Sequence, residues 1–153
     1  MKTIKLVEEF HKTFKQPNGL IPNIPNKNVM SLRLRLLKEE IDELITAVNQ
    51  GDIVECADAL GDIQYLLDGT FIVFGLDKYK DRILKEIHDS NMSKTCNTLE
   101  EAHEAIDDST GSCGPMLYYD EVGSKFVLYR MTDGKILKGP HYRKPDLTFV
   151  KNE

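Results

Sequence analysis

The chain has 153 residues, 41% of them apolar and 29% charged, with a formal net charge of −5. This suits one domain, or one domain with a small appendage, and the acidic balance argues against a nucleic-acid binder, which shows a basic patch or stripe. No apolar run approaches bilayer length.

The first residues, Met1 to Lys15, mix charge with apolarity and do not resemble a signal peptide. The cysteines, Cys56, Cys96 and Cys113, form no CxxC pair. A disulfide framework or zinc site is therefore not expected, and the default is a soluble protein of a reducing cytoplasm, without a membrane partner.

Ile4, Val7, Phe10, His11 and Phe14 recur at helical spacing and predict an amphipathic helix over Thr3 to Lys15. The stretch from Gln16 to Asn28 is rich in proline and asparagine and reads as a long loop. A second helix is expected from Val29 to Gln50, closed by Gly51, with Leu34, Leu37, Ile41, Leu44 and Val48 as its core stripe. Asp52 and Glu55 resemble a capping box opening a third helix to Phe74, closed by Gly75. Asp77 can cap a fourth, from Lys78 to about Ser90. Helices of this length with short links predict an antiparallel four-helix bundle.

Beyond Ser93 the pattern changes. Thr98 and Glu101 form a capping box for a short helix to about Ile106, and Asp107 to Pro115 reads as a polar linker. Met116–Tyr119 and Lys125–Met131 read as strands around a turn at Val122-Gly-Ser, and Asp133-Gly134 marks another turn. The expected organisation is a mainly α protein. Residues 1–95 form the bundle, 96–132 a small α+β insertion, and 133–153 a basic C-terminal tail folding back toward the site.

Chemistry concentrates on the second and third helices. Glu43 lies three and four residues from Glu40 and Glu39, and Glu55, Asp58 and Asp62 are spaced three and four, so each set shares a face. Lys38 is the base expected near the second-helix acids, and no base occurs from Gly51 to Asp77. Facing clusters of like charge repel unless cations sit between them, and magnesium prefers such hard oxygen ligands. A solvated acidic face remains the alternative on spacing alone.

Glu39-Glu40-Ile-Asp-Glu43 followed by Asp58-Ala-Leu-Gly-Asp62-Ile-Gln-Tyr65 resembles the EExxE and ExxD halves of the MazG-like all-α NTP pyrophosphohydrolases, a group that includes dimeric dUTPases and phosphoribosyl-ATP pyrophosphohydrolases. Where that pattern has its second-helix glutamate this chain has Ala59, so that either Asp58 stands in its place or Glu55-Cys-Ala-Asp58 is the ExxD half, with Asp58 as its aspartate. Asn91-Met-Ser-Lys94 and the run from Gly134 to Asp146 resemble the Asn-x-x-Lys segment and basic tail of the dUTPase subgroup.

The resemblance implies a homodimer or homotetramer that cleaves a nucleoside triphosphate, such as dUTP, to the monophosphate and pyrophosphate. Its cofactor would be Mg²⁺, with Mn²⁺ able to substitute. Glu40, Glu43, Asp58 and Asp62 would hold metal, and Glu39 would be the general base beside Glu40 and Glu43. Asn91, Lys94, Lys135, Lys138 and Arg143 would bind phosphate, while His11 could stack on the base. Two other readings compete: a non-catalytic helical adaptor, and a di-iron bundle using Glu8-x-x-His11 and Glu100-x-x-His103.

Overall fold

A computed structural model describes residues 3–110 and 116–151, and among them the chain is mainly α, with five α-helices and one two-stranded sheet. Its contacts fall into two compact units, residues 3–80 with 148–151, and residues 81–147.

In the first unit, α1 (Thr3–Thr13) buries Ile4, Val7 and His11, spaced three and four. It stops where Lys15 takes a left-handed conformation, φ 52°. Phe14, expected in the core stripe, is 60% exposed and instead stacks on Phe10, ring centroids 4.5 Å apart. The following loop is tied to the end of α3: the Gly19 and Asn23 N–H groups donate to the carbonyls of Ile72 and Phe74 at 3.0 Å. This approach needs two glycines. A Cβ on Gly19 would stand 2.4 Å from the Gly75 nitrogen, and one on Gly75 (φ 67°) would stand 2.4 Å from the Ile21 carbonyl oxygen.

Helix α2 (Lys27–Gln50) begins at Asn26, whose side chain accepts from the Val29 N–H at 3.1 Å, and ends at left-handed Gly51. Helix α3 (Ile53–Val73) is capped by Asp52, whose Oδ1 accepts from the Val54 and Glu55 N–H groups. Packed against both α1 and α2, α3 is the centre of the unit. Ile72 meets Ile4 and Val7 in a core that Tyr65 and Phe71 extend.

The expected core stripe of α2 becomes core only in part, with Leu37 and Leu44 half-buried. Leu34, Ile41 and Val48 are 61%, 48% and 62% exposed, and the buried positions are Arg33 and Ala47. The physical reason lies in which face meets α3: positions 33, 36, 40 and 47 follow one helical stripe, and the leucine–isoleucine stripe lies beside it.

After α3 the chain makes a 3₁₀ turn, Asp77–Tyr79, with no side-chain cap from its first flanking residue, rather than an α-turn capped by Asp77. Buried Asp68 pairs with Lys80 at its end. A second 3₁₀ turn, Thr148–Lys151, returns to this unit with Phe149 beside Tyr79, centroids 6.2 Å apart.

The second unit holds α4 (Lys80–Met92) from Asp81 onward, α5 (Leu99–Thr110), β1 (Leu117–Val122) and β2 (Lys125–Arg130). The contacts thus group α4 with the α+β segment, whereas the sequence pattern groups it with the bundle. Thr98 caps α5 by accepting from Glu101 N–H at 3.2 Å, but the returning Glu101 carboxylate bond comes from Asn97 N–H, one residue before the expected box. The helix runs to Thr110, past Ile106, and Cys113 lies outside the described residues. The strands pair antiparallel from Leu117 opposite Arg130 to Val122 opposite Lys125, turning at Gly123, φ 63°. Cys96, Ala102 and Leu128 form the core, and Cys96 also bridges to Phe126.

Among the described residues no single helix is long and apolar enough to cross a membrane.

Candidate functional site

The expected acids come together around Glu40. This residue sits on the α3-facing side of α2, and its Oε2 is shielded from solvent with no hydrogen-bond partner. Burial pushes its carboxyl above the ordinary carboxylate range, and Glu43, Asp62, Asp58 and Glu39 add to the rise in that order. Five carboxylates thus share one field. The other four are exposed, and the acids of α3 stand on a helix without a base.

One base does reach the cluster, and it is not Lys38. Arg35 Nε stands 3.8 Å from Glu39 Oε1, one turn along α2. Both side chains are more than half exposed, so this pair holds Glu39 only weakly.

The α3 geometry explains the departure at Ala59. Ala59 is 3% exposed, in the packing between helices, while Asp58 is exposed and acts electrostatically on Glu40. A glutamate at 59 would have to be buried here, whereas Asp58 reaches the acidic field. The α3 acids that act on Glu40 are Asp62 and Asp58, and Glu55 is not among them.

Among the described residues, no three His, Cys, Asp or Glu side chains converge tightly enough to enclose a metal ion by themselves. The donor set nonetheless fits a hard divalent cation: oxygen ligands only, a shielded unpartnered carboxylate oxygen, and an excess of negative charge. Magnesium is commonly held by one or two carboxylates, the remaining positions going to water and substrate oxygens.

The expected phosphate-binding residues lie in the second unit. Asn91 accepts from Lys94 Nζ at 2.7 Å, and the Gly139 N–H donates to the Lys94 carbonyl at 2.8 Å, which lays the basic run beside α4. A Cβ at Gly139 would stand 2.7 Å from that same oxygen. Lys138 covers the Tyr142 ring at 4.3 Å. Lys135 belongs to the turn after β2, its N–H donating to Asp133 Oδ1 at 3.2 Å. Arg143 is committed to protein partners: it pairs with Glu86 at 2.6 Å, its N–H donates to Ser93 Oγ, and its carbonyl accepts from Ser90 Oγ. Its observed work is pinning the tail to α4.

The family model for phosphoribosyl-ATP pyrophosphohydrolase matches residues 7–91, which contain all five acids. The chain belongs to that family, within the MazG-like all-α NTP pyrophosphohydrolases. It is also 40% identical over 75 residues to an uncharacterized protein of Acanthamoeba polyphaga mimivirus, covering 46% of this chain and 30% of that one. The chain therefore spans under a third of the length of that curated relative. Lys94, Lys135, Lys138 and Arg143 of this MazG-like chain fall beyond the family match.

His11, expected to stack on a base, is engaged within the protein. It is 1% exposed, and both ring nitrogens are used. Nδ1 lies 3.0 Å from the Pro17 carbonyl, which only accepts, so Nδ1 carries the proton. Nε2 lies 3.0 Å from Arg33 NH2, which only donates, so Nε2 accepts. The Glu-x-x-His pairs are likewise engaged locally: Glu8 with Lys5, and His103 with Tyr119.

Arg33 itself was not among the expected residues. Its signal was a lone cation seven residues before Glu40, on the same helical stripe. Asp68 is the acid within the apolar run from Tyr65 to Phe74, a pattern that predicts core rather than a site. It is fully buried against Lys80, and its Oδ2 has no partner.

Proposed function

We propose that this chain hydrolyses a nucleoside triphosphate, a dNTP such as dUTP, to the monophosphate and pyrophosphate with Mg²⁺ as cofactor and Mn²⁺ as a substitute. The observation that carries this reading is the solvent-shielded, unpartnered Glu40 oxygen amid four further carboxylates. A protein retains so unfavourable a cluster where a cation offsets it.

Glu40, Glu43, Asp58 and Asp62 would hold the metal. Bound there, it would polarise phosphate oxygens and lower the pKa of a water. Glu39, exposed and tethered loosely by Arg35, would take the proton of an attacking water. In the second unit, Asn91, Lys94, Lys135 and Lys138 offer the cationic surface suited to phosphate oxygens, and Arg143 supports it by holding the tail.

The protein would act as a homodimer or homotetramer. Leu34, Ile41, Ile45 and Val48 on α2, with Ile53, Leu60 and Leu67 on α3, leave apolar stripes exposed along two helices. A second copy presents the same stripes and would cover them isologously.

The test is a panel of the common ribo- and deoxyribonucleoside triphosphates and phosphoribosyl-ATP, with Mg²⁺, assayed for pyrophosphate. Turnover of at least one, lost in Glu43→Gln, is expected. Absence of turnover on the whole panel would overturn the enzymatic reading and leave a binding protein.

A further inference from the structure

The cleft between α1, α2 and α3 holds a buried cation, Arg33, whose hydrogen-bond partner among the described residues is a histidine. It encloses about 240 Å³ and is walled by Phe10, Tyr65, Leu36 and Leu66, with His11 and Arg33 supplying polar groups. Arg33 is 9% exposed, and among the described residues no carboxylate stands within ion-pair distance of it. Its one hydrogen bond goes to His11 Nε2, and His11 is itself fixed by Pro17 and Asn18. A Cβ on Gly69 would stand 2.6 Å from Arg33 NH1, so the guanidinium occupies the space this glycine leaves.

A desolvated guanidinium is costly unless its N–H groups find acceptors. With five donors and one bond to His11, Arg33 presents unused donors at the wall of an aromatic-lined cleft. A flat ligand with acceptor oxygens satisfies both features, stacking on the rings while accepting from the guanidinium.

Position narrows the ligand further. Arg33, Leu36 and Glu40 follow one stripe of α2, and the seven-residue step from Arg33 to Glu40 spans about 10 Å along the axis. On antiparallel α3, Gly69 lies at Arg33 and Asp62 at Glu40, with Tyr65 and Leu66 between them. The cleft and the carboxylate cluster therefore share the facing sides of α2 and α3 within the same unit, about 10 Å apart along the axis. We infer that the Arg33 cleft seats the nucleobase of the substrate whose phosphates lie at the carboxylates, and that it selects a base carrying a keto oxygen. This rests on the pyrophosphohydrolase reading above.

The selection has a chemical origin. Uracil, thymine, guanine and cytosine each present a keto oxygen, and guanine and cytosine place a second acceptor beside it. Adenine has no keto oxygen, and each of its ring nitrogens offers a single lone pair, so a guanidinium with two free N–H groups completes one hydrogen bond there where a keto oxygen accepts two. A site built around a hydrogen bond rejects a ligand that cannot complete it more strongly than it rejects a change of size. On this ground the adenine base of phosphoribosyl-ATP is a poor fit.

The test uses the full chain without metal, titrated with deoxyuridine, deoxyguanosine or deoxyadenosine and followed by saturation-transfer NMR and calorimetry. The keto nucleosides should bind, and deoxyadenosine at least tenfold more weakly. Arg33→Met should lose that preference. Leu32→Trp, at the exposed rim of the cleft, should block binding without disturbing the core. Equal binding of deoxyadenosine, wild-type binding by Leu32→Trp, or no nucleoside binding by the native chain each overturns the assignment. Because no hydrolysis is required, these outcomes are separable from a failed pyrophosphate assay.

Discussion

At the residue scale, Glu40 concentrates the physics of the site. Its shielded oxygen has no donor, and four neighbouring acids raise its carboxyl above the usual range. Replacing it by Gln removes that repulsion, so Glu40→Gln should melt roughly 2–4 °C higher than the native chain without metal, corresponding to about 1 kcal/mol. The same variant should lose the rise in Tm that millimolar Mg²⁺ gives the native protein. Differential scanning calorimetry with and without Mg²⁺ checks both; a variant that melts lower and still responds to Mg²⁺ refutes the role.

Asp58 and Ala59 make a second residue-scale test. Asp58→Ala should lower activity at least about 100-fold, a loss at the upper end of that seen even for outer-sphere partners. Adding Ala59→Glu should not restore it, because position 59 is buried and the new carboxylate would be placed in packing. Recovery of activity in the double variant would show that position 59 reaches the metal.

At the element scale, the basic tail is held to α4 by Glu86. Its carboxyl lies below the usual range, first through the Asp146 N–H and then through Arg143. A depressed carboxyl stabilises the folded arrangement above its unfolded pKa and loses that contribution as pH falls through the folded value. The tail should therefore stay protected at pH 6 and become accessible as the pH drops below about 4.5, its ordinary value. Glu86→Gln should expose it at neutral pH. Hydrogen exchange over 140–147 measures this, and equal protection in both proteins at pH 7 would dismiss the clamp.

The same scale shows how far periodicity carries. The Gly51 end of α2, the Asp52 cap of α3 and the Gly123 hairpin turn follow from residue type, since each depends on neighbours within a few positions. Asn26, by contrast, reads as loop but caps α2, which starts at Lys27 rather than at the expected Val29. Which stripe of α2 meets α3 does not follow. Two adjacent stripes compete, and the more apolar one remains mostly outside because Arg33, Leu36, Glu40 and Ala47 face the neighbour.

For the whole molecule, the exposed stripes lead to an association test. Ile41→Glu puts a charge in the middle of the α2 stripe while touching none of the acids acting on Glu40. Light scattering should find the native chain as a dimer or tetramer and Ile41→Glu shifted toward monomer, with folded-state circular dichroism retained. A native chain that is monomeric at tens of micromolar would refute self-association.

The sequence by itself determined the helical class, most element boundaries and the acids of α2 and α3 that are candidates for the cluster. These rest on spacing along one helix and on caps, both local properties of the chain. Tertiary structure decided what depends on a neighbour: that Asp58 rather than position 59 joins Glu40, that His11 is a buried bridge, and that Arg33 lines a cleft. Each is set by the rotation of one helix against another, and a one-residue step around a helix turns a side chain by about 100°. The acids were legible because their own spacing gathers them; the arginine was not, because only the packing of three helices makes a cation among leucines into a binding wall.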